Sequence, residues 1–196
     1  MAGEEWVDLV DSENRVVGSA TRAEIRRSNL LHRGIGVLCR NSRGQVYVHR
    51  RTTTKDLFPG MYDMFVGGVV ARGESYEAAA RRELAEELGI VGTLLRPLFE
   101  HLYEGERNRS WIRVYDVTWD GPIVHQAEEI AWGGWMTETD LETWAETVEV
   151  VPDGLSVFRR WLDWKSRTPR PCSVDTARAG RVGLAPDLTD RPDCFD

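Results

Sequence analysis

The chain has 196 residues, of which 41 % are apolar and 29 % charged, a composition that excludes a disordered chain and allows one domain with a substantial hydrophobic core. With 32 acidic and 25 basic residues the formal charge is −7, which argues against a protein that coats nucleic acid. No segment resembles a membrane span or a signal peptide, so we expect a cytoplasmic protein that binds no nucleic-acid polymer and no membrane.

Periodicity and turn residues predict an alternation of strands and short helices. In chain order, we predict a hairpin across residues 7–17, a capped helix at 21–27, strands at 34–40 and 45–51, a polar loop at 52–60, and an apolar run at 64–66 that ends in Gly67-Gly68. There follow a helix from about 75 to 89, strands at 93–98, 111–119 and 130–136, and helices at about 139–146 and 153–165. We expect one domain over residues 1–166 and an extension over residues 167–196, where large apolar residues become rare.

The predicted helix at 75–89 carries two different faces. Its apolar stripe consists of Tyr76, Ala80, Leu84 and Leu88. At about 100° per residue, Glu83, Glu86 and Glu87 fall together on a neighbouring face. Like charges so close together repel unless a cation compensates them, and carboxylate oxygens suit hard divalent ions such as Mg²⁺ or Mn²⁺. A solvated acidic face is the alternative, because charge runs usually lie on the surface.

These glutamates belong to a wider pattern of fixed positions. The pattern consists of Gly68, Glu74, Arg82, Glu83, Leu84, Glu86, Glu87, Gly89 and Ile90, within 23 residues. It resembles, without a gap, the signature of the Nudix hydrolase family. The resemblance implies an α+β fold, the family's α/β/α sandwich around a mixed β-sheet, and hydrolysis of a diphosphate linkage with a divalent metal ion. The order of the predicted elements over about residues 5–165 is compatible with that fold.

The resemblance also implies roles for single residues. In the family, the helix glutamates bind the divalent ions or activate water, the carbonyl of the glycine that opens the motif is a further ligand, and the arginine orients a glutamate. The catalytic residues implied here are Glu83, Glu86 and Arg82, the metal ligands are Gly68, Glu83, Glu86 and Glu87, and the structural supports of the motif are Glu74 and Gly89.

A later glutamate, outside the motif, often completes the site in this family. Glu128 or Glu129, just before the predicted strand at 130–136, fits that part. Two adjacent loop glutamates are also often simply solvated, and the sequence leaves both readings open.

Three basic residues, Arg50, Arg51 and Lys55, lie on a predicted strand end and loop that precede the motif. They could meet the phosphates of a substrate and supply the positive potential that the acidic chain lacks. Charges at a strand end that face solvent are the alternative.

Residues 50–70 also resemble the Nudix proteins most similar to isopentenyl-diphosphate isomerase, a group that includes bacterial hydrolases. The resemblance rests on Arg50-Arg51-Thr52, Lys55-Asp56, Pro59-Gly60, Asp63 and residues 67–70. Isomerases of this family need a catalytic cysteine and, two residues later, a metal-binding histidine, and the aligned positions here hold Gly67 and Val69. Hydrolysis is therefore favoured, because the acid for isomerisation and part of the metal shell are missing.

We therefore predict a Mg²⁺- or Mn²⁺-dependent hydrolase that cleaves the diphosphate linkage of a nucleoside diphosphate-linked compound or a related organic pyrophosphate. Isomerisation of an isoprenoid diphosphate and a non-catalytic nucleotide-binding module are the two alternatives. The motif encodes the metal chemistry and not the leaving group, so the identity of the small-molecule substrate stays open. The sequence also permits a homodimer.

Overall fold

The computed structural model describes residues 5–167, so the predicted extension lies outside the described residues except for Arg167. The strands are β1 (Trp6–Val10), β2 (Val16–Thr21), β3 (His32–Arg40), β4 (Val46–Arg51), β5 (Tyr62–Asp63), β6 (Val66–Val69), β7 (Arg96–Glu104), β8 (Arg109–Thr118) and β9 (Ile130–Met136). The helices are α1 (Arg22–Arg27), α2 (Tyr76–Leu88), α3 (Glu138–Trp144) and α4 (Pro152–Arg167).

Strand β3 is the centre of the sheet. It runs parallel to β8 over its whole length and antiparallel to β6 through residues 34–37. Strand β7 extends the sheet beyond β8, and β4, which meets β3 only near Arg40, carries β5 and β9. The β1–β2 hairpin joins β3 through the pair Leu9 and His32. Parallel and antiparallel pairs therefore occur in one mixed sheet, as predicted.

Helices cover both faces of this sheet. Successive residues of a strand point to opposite faces, and along β3 Val37 packs with Leu84 of α2 whereas Leu38 packs with Phe158 of α4. Helix α3 joins α4 on the second face through Leu141, which is fully buried. The result is the predicted α/β/α sandwich.

The apolar run predicted at 64–66 is divided between a bend and a strand. Met64 and Phe65 lie in the bend, and β6 begins at Val66 and contains both Gly67 and Gly68. The bend arises because the Phe65 N–H donates to Asp63 Oδ1 at 3.0 Å, which turns the chain between β5 and β6. Gly68 is consequently a strand residue paired with β3.

Other elements differ from the prediction at their ends. Strand β7 begins at Arg96, not at residue 93, and continues to Glu104 because it pairs with β8 along its length. Helix α4 begins at Pro152, a residue that favours the first turn because it has no N–H to leave unpaired. The N-terminal hairpin and the capping box of Thr21 on α1 are confirmed.

Helix α2 has the start and stop signals that the sequence predicts. The Ser75 side chain accepts a hydrogen bond from the Ala78 N–H at 3.1 Å, and Gly89 ends the helix with a φ of 68°. Its predicted apolar stripe is buried against the sheet, joined by Ala79. Burial of this stripe fixes the rotation of the helix and therefore the direction of its glutamate face.

Among residues 5–167, no helix combines the length and the apolar character needed to cross a membrane.

Candidate functional site

A cleft of about 450 Å³ opens between α1, α2, the sheet and the first turn of α4. Its size lies within the range of about 300–1,000 Å³ that is typical of small-molecule sites. Its wall includes β6 and the glutamate face of α2, together with Asp63 of β5, Asn108 and Asp153 of α4. We treat this cavity as the candidate active site.

The three glutamates of α2 all line the cleft, but they differ in exposure. Glu87 is 6 % exposed as a residue, whereas the side chains of Glu83 and Glu86 are 14 % and 51 % exposed. A solvated acidic face therefore describes Glu86 but neither of the other two. Two carboxylates removed from water on one helix need a specific compensating partner.

Gly68 and Glu83 lie in direct contact across the junction of β6 and α2. A Cβ atom added at Gly68 would lie 2.2 Å from Glu83 Oε1 and 2.3 Å from its Cδ. Only glycine leaves room for the carboxylate at this position. The contact also places the backbone of Gly68 next to a carboxylate oxygen, which is the arrangement that a shared ligand shell would need.

Arg82 connects the strand, the loop and the helix. Its guanidinium donates to both carboxylate oxygens of Glu74 at 3.1 Å, to Glu83 Oε1 at 2.6 Å and to the Val69 carbonyl at 3.2 Å. Glu74 in turn accepts the Ala71 N–H at 3.0 Å. Glu74 and Arg82 thus hold the loop between β6 and α2, and Arg82 orients the Glu83 carboxylate.

The glutamates strongly perturb one another. Burial, with the charges of Glu83 and Glu129, raises the pKa of Glu87 to about 8. Burial also raises the pKa of Glu83, although Arg82 opposes this rise. The pKa of Glu74 lies below its usual value, since the hydrogen bonds from Arg82 and Ala71 outweigh the effect of burial. Burial and the neighbouring carboxylates therefore disfavour the charged form of Glu87, which a bound cation would favour.

The two loop glutamates have different positions. Glu129 lines the cleft, acts on the pKa of Glu87 and forms an ion pair with Lys55. Glu128 is exposed and is not part of the cleft wall, and its carbonyl accepts the Thr52 hydroxyl at 2.8 Å. Of the pair, the structure brings only Glu129 to the α2 glutamates.

Three arginines line the same cleft as the glutamates. Arg22, Arg26 and Arg51 all line it, and burial together with the charges of Arg22 and Arg51 lowers the pKa of Arg26 to about 10. Arg22 is paired with Glu5 at 2.7 Å and Arg26 with Asp56. The Nε atom of Arg51 is buried and has no hydrogen-bond partner within residues 5–167. The wall of the cleft thus carries three guanidinium groups as well as carboxylates, and guanidinium groups suit an anionic ligand.

Arg50 lies outside this group. It is exposed, donates to the Gly60 carbonyl at 2.9 Å and stacks over Tyr62, and it is not part of the cleft wall. Adjacent residues of a strand point to opposite faces, which is why Arg51 enters the cleft and Arg50 does not.

Comparison with known proteins assigns the family. The NUDIX domain family model matches residues 30–158, which include the cleft's glutamates and the first turn of α4. The chain belongs to the Nudix hydrolase family. Members of this family act on pyrophosphate bonds, so the protein is a hydrolase of phosphorus-containing acid anhydrides.

Relatives that are named Nudix hydrolases align with most of this chain and with most of their own length. An uncharacterized Nudix hydrolase of Streptomyces coelicolor is 47 % identical over 84 % of this chain and 92 % of its own. The Nudix hydrolase YfcD of Escherichia coli K12 is 36 % identical over 91 % of this chain and 97 % of its own. The crystal structure of DR0079 from Deinococcus radiodurans, at 33 % identity, superposes with a TM-score of 0.70 over 80 % of this chain and 98 % of its own.

More distant structures show the fold alone. The Nudix domain of Shewanella oneidensis NrtR, solved with ADP ribose, is 18 % identical, with a TM-score of 0.52 over 74 % of this chain and 98 % of its own. The comparisons confirm the family, while the resemblance to the branch near isopentenyl-diphosphate isomerase stays a prediction.

The donor set of this Nudix hydrolase fits a hard divalent ion. Glu87 has two further carboxylates near it, Glu83 and Glu129, and burial together with their charges raises its pKa to about 8. Carboxylate oxygens are the ligands that such an ion prefers. In the described part of the chain no three acidic, histidine or cysteine side chains are already arranged to hold an ion. Three of the carboxylates are paired with the chain's own cations, Glu83 and Glu86 with Arg82 and Glu129 with Lys55.

Sequence reasoning missed several residues of the cleft. Arg22 and Arg26 lie on a short helix far from the motif, and Asp63 and Asp153 come from elements separated by most of the domain. No local pattern marks them, because only the packing of α1 and α4 on the sheet brings them to the cleft. The alternation of Arg50 and Arg51 on a strand is the one signal that could have separated those two in advance.

Proposed function

We propose that this Nudix hydrolase is a Mg²⁺- or Mn²⁺-dependent pyrophosphohydrolase of the cytoplasm that cleaves the diphosphate linkage of a nucleoside diphosphate-linked compound or a related organic pyrophosphate. The observation that carries the proposal is the burial of Glu87 beside Glu83 and Glu129 in a cleft that three arginines also line. The cleft volume of about 450 Å³ suits a small molecule of this class.

Glu83, Glu86, Glu87 and the Gly68 carbonyl are the proposed ligands of the divalent ion, with Glu129 as an additional ligand or base. When bound, the ion supplies neutralisation of phosphate charge and acidification of a water molecule. Arg82 keeps the Glu83 carboxylate in one orientation. Glu86, the most exposed of the three helix glutamates, pairs with Arg82 at 3.5 Å and is the proposed acceptor of a proton from water.

The basic residues serve the substrate in this proposal. Arg51 of β4 and Arg22 and Arg26 of α1 line the cleft and supply positive potential to the phosphates. Lys55 forms an ion pair with Glu129 and would contact a phosphate only after that ion pair is broken. Arg50 is not included, because its side chain lies outside the cleft.

Isomerisation of an isoprenoid diphosphate is not favoured. Neither Gly67 nor Val69 offers an acid, and the thiol of Cys39 is buried in the core, away from the cleft wall. A substrate panel that includes isopentenyl diphosphate separates the two chemistries directly.

Single substitutions on α2 test the proposal. We expect Glu87→Gln and Glu83→Gln to lower kcat on any turned-over diphosphate by about 100-fold or more, since each removes a charge at the reacting end of the cleft. Glu77→Gln, an exposed site on the same helix, is the matched control and retains activity. Circular dichroism checks that all three variants keep the fold.

The measurement is release of phosphate or mononucleotide from a panel of organic diphosphates with Mg²⁺ or Mn²⁺. Turnover that survives both substitutions would show that α2 does not carry the chemistry. Binding of Mg²⁺ and nucleotide without turnover of any panel member would favour the non-catalytic module instead.

A further inference from the structure

Two neighbouring polar side chains in the wall of the cleft have no part in the proposed metal chemistry. His32 begins β3, and its register partner is Ser110 in β8. Neighbouring strands lie about 4.8 Å apart, and register partners point to the same face of the sheet. Both residues line the cleft. We call them the histidine–serine pair.

Each member of the pair has a polar atom without a partner. His32 is 6 % exposed and Ser110 2 %, so more than nine tenths of each residue is buried. Within residues 5–167 the His32 ring makes one hydrogen bond, between Nδ1 and the Leu30 carbonyl at 2.9 Å, and the Ser110 hydroxyl makes none. Neither His32 Nε2 nor Ser110 Oγ is among the unpartnered atoms of these residues that are closed to solvent. The surface that both atoms retain therefore opens into the cleft.

The His32 ring offers an acceptor to a ligand. A carbonyl oxygen can only accept, so Nδ1 carries the hydrogen of the bond with Leu30. Burial, with the charges of Arg26 and Arg22, lowers the pKa of His32 against the opposing effect of that hydrogen bond, and the ring is neutral at pH 7. In a neutral ring with a hydrogen on Nδ1, Nε2 has a lone pair and no hydrogen. Nε2 therefore needs a ligand that supplies an O–H or N–H group.

The space beside Ser110 is open because Gly34, which also lines the cleft, has no side chain. A Cβ atom added at Gly34 would lie 3.7 Å from Ser110 Oγ and 3.4 Å from the Gly68 carbonyl oxygen. A single point thus lies within contact distance of the serine hydroxyl and of the carbonyl proposed as a metal ligand. A group bound at the histidine–serine pair is consequently close to the metal-binding part of the site.

We propose that His32 Nε2 and the Ser110 hydroxyl bind a hydroxyl group on the organic part of the substrate, close to its diphosphate. The inference rests on the proposed function, which places the diphosphate at an ion held by α2 and Gly68. A hydroxyl both donates and accepts, so it can donate to Nε2 while it accepts from Ser110. An ammonium group has no acceptor for the Ser110 hydrogen, and a carbonyl or phosphate oxygen has no donor for Nε2. The substrate is therefore a diphosphate of a sugar or of another alcohol with a further hydroxyl.

The hydroxyl can belong to the ribose of a nucleotide or to an alcohol without a nucleobase. Two sets of probes with a methylene-bridged diphosphate distinguish these sources. In the first, α,β-methylene-ADP is compared with the two analogues that each lack one ribose hydroxyl. In the second, the hydroxyethyl ester of methylenediphosphonate is compared with the propyl ester, which has a methyl group in place of the hydroxyl. Isothermal titration calorimetry in Mg²⁺ measures binding without a need for turnover.

We expect the wild-type protein to bind the hydroxyl member of at least one set about fivefold or more tightly than its hydroxyl-free partner, the effect of a hydrogen bond gained and of buried groups left unpaired without it. A preference in the nucleotide set identifies ribose, and a preference in the ester pair alone identifies another alcohol. Equal affinity within both sets, or no binding of any hydroxyl member, overturns the proposal.

Substitutions of the pair test the residues named. Ser110→Ala removes the hydroxyl, and His32→Asn removes Nε2 but keeps an N–H group near the position of Nδ1. We expect each to reduce the preference to about twofold or less. Ser19→Ala, in β2 and outside the cleft wall, is the matched control and keeps the wild-type preference. Thermal melting checks that the variants are folded, and a preference that is unchanged in folded Ser110→Ala or His32→Asn contradicts the pair.

Gly34→Ala tests the open space and leaves both members of the pair in place. Its φ is not positive and the added Cβ meets its neighbours at ordinary distances, so the fold should tolerate it. We expect the methyl group to fill the space beside Ser110 and to reduce the preference to about twofold or less. Gly36→Ala is the control, because Gly36 lies on the same face of β3, makes equally ordinary contacts and is not part of the cleft wall. A wild-type preference in Gly34→Ala would contradict a hydroxyl bound between Ser110 and Gly68.

This outcome is separable from the proposed function. Hydrolysis of panel substrates without any hydroxyl preference refutes the role of the histidine–serine pair and leaves the hydrolase intact. A hydroxyl preference that depends on the pair, without hydrolysis of any panel substrate, refutes the proposed function and leaves the pair's role in binding intact.

Discussion

Glu83 can take its place in the site because Gly68 has no Cβ atom. The backbone of Gly68 pairs with β3, and the space where a side chain would lie is filled by the Glu83 carboxylate. The adjacent Gly67 has no such neighbour, because the nearest atom to an added Cβ is the Ile35 carbonyl oxygen at 3.8 Å. The space around the backbone therefore requires glycine at Gly68 but not at Gly67.

We expect Gly68→Ala to lower kcat by about 100-fold or more and the free energy of unfolding by about 1–3 kcal/mol, because Glu83 must leave its place beside β6. Gly67→Ala serves as the control and should change the free energy of unfolding by less than about 1 kcal/mol. Urea denaturation and initial rates measure both variants. Similar losses in the two would show that the contact with Glu83 is unimportant.

Asp63 gives a pH-dependent prediction at the same scale. Its pKa is raised from 3.8 to about 7 in the folded state by burial and by Asp153, with Arg51 opposing, so the carboxyl is more easily ionised after unfolding. The resulting destabilisation is absent below about pH 4, grows as the pH rises towards 7 and is complete above it.

Asp63→Asn should therefore raise the melting temperature at pH 8 by a few degrees and leave it nearly unchanged at pH 4. Scanning calorimetry at both pH values, without ligand, provides the measurement. A gain of equal size at pH 4 and pH 8 would mean that ionisation of Asp63 is not its cause.

Helix α2 is the element that the sequence predicts best. Its Ser75 cap, its apolar stripe and its Gly89 end are local features, and each is present in the structure. The same holds for the hairpin and for α1, which have capping and turn residues of their own. The bend before β6 was not predicted, because it depends on a hydrogen bond from Phe65 to Asp63, which apolar periodicity does not encode.

The residues of the candidate site likewise fall into those that the sequence predicts and those that it does not. The motif glutamates and Arg82 could be placed from the sequence, since they share one helix. The choice of Glu129 over Glu128, and the entry of Arg22, Arg26 and Asp153, depend on tertiary packing between distant segments. Contacts of that kind leave no periodic trace in a single sequence.

The contribution of the Val124 contact at the end of α2 can be tested by comparing substitutions of two glycines. Gly89 and Gly73 both have a positive φ, 68° and 74°, but only an added Cβ at Gly89 meets a neighbour, the Val124 Cβ at 3.1 Å. We expect Gly73→Ala to lower the free energy of unfolding by about 1 kcal/mol through backbone strain, and Gly89→Ala by about 2 kcal/mol or more. Chemical denaturation gives both values, and equal costs would exclude a contribution from Val124.

At the scale of the whole molecule, part of the acidic excess behind the net charge of −7 lies in one short segment of the chain. Glu74, Glu77, Glu83, Glu86 and Glu87 lie within fourteen residues of sequence, and three of them line the cleft. Two bound divalent ions would offset four of the seven formal negative charges. The acidic composition is therefore compatible with an anionic substrate, because the ions reverse the local sign of the potential.

This reasoning predicts that Mg²⁺ stabilises the fold. At about 100 times its dissociation constant, an ion bound only by the native state contributes about 2.7 kcal/mol, or a rise of about 5–10 °C in the melting temperature for a chain of this size. Glu87→Gln should lose most of this rise, and Glu77→Gln should retain it. Scanning fluorimetry against NaCl of equal ionic strength measures the effect, and a wild-type protein that Mg²⁺ does not stabilise would contradict it.

The parallel pairing of β3 with β8 has a consequence for biosynthesis. Strand β3 ends at Arg40, and its parallel partner β8 begins at Arg109. A nascent chain emerging from a ribosome therefore completes α2 well before β8 is available to pair with β3. Non-local pairing of this kind is slow to form. The last wall of the cleft arrives with α4, when Asp153 reaches Asp63. A chain released before residue 153 would carry every glutamate of the motif and still have an open cleft.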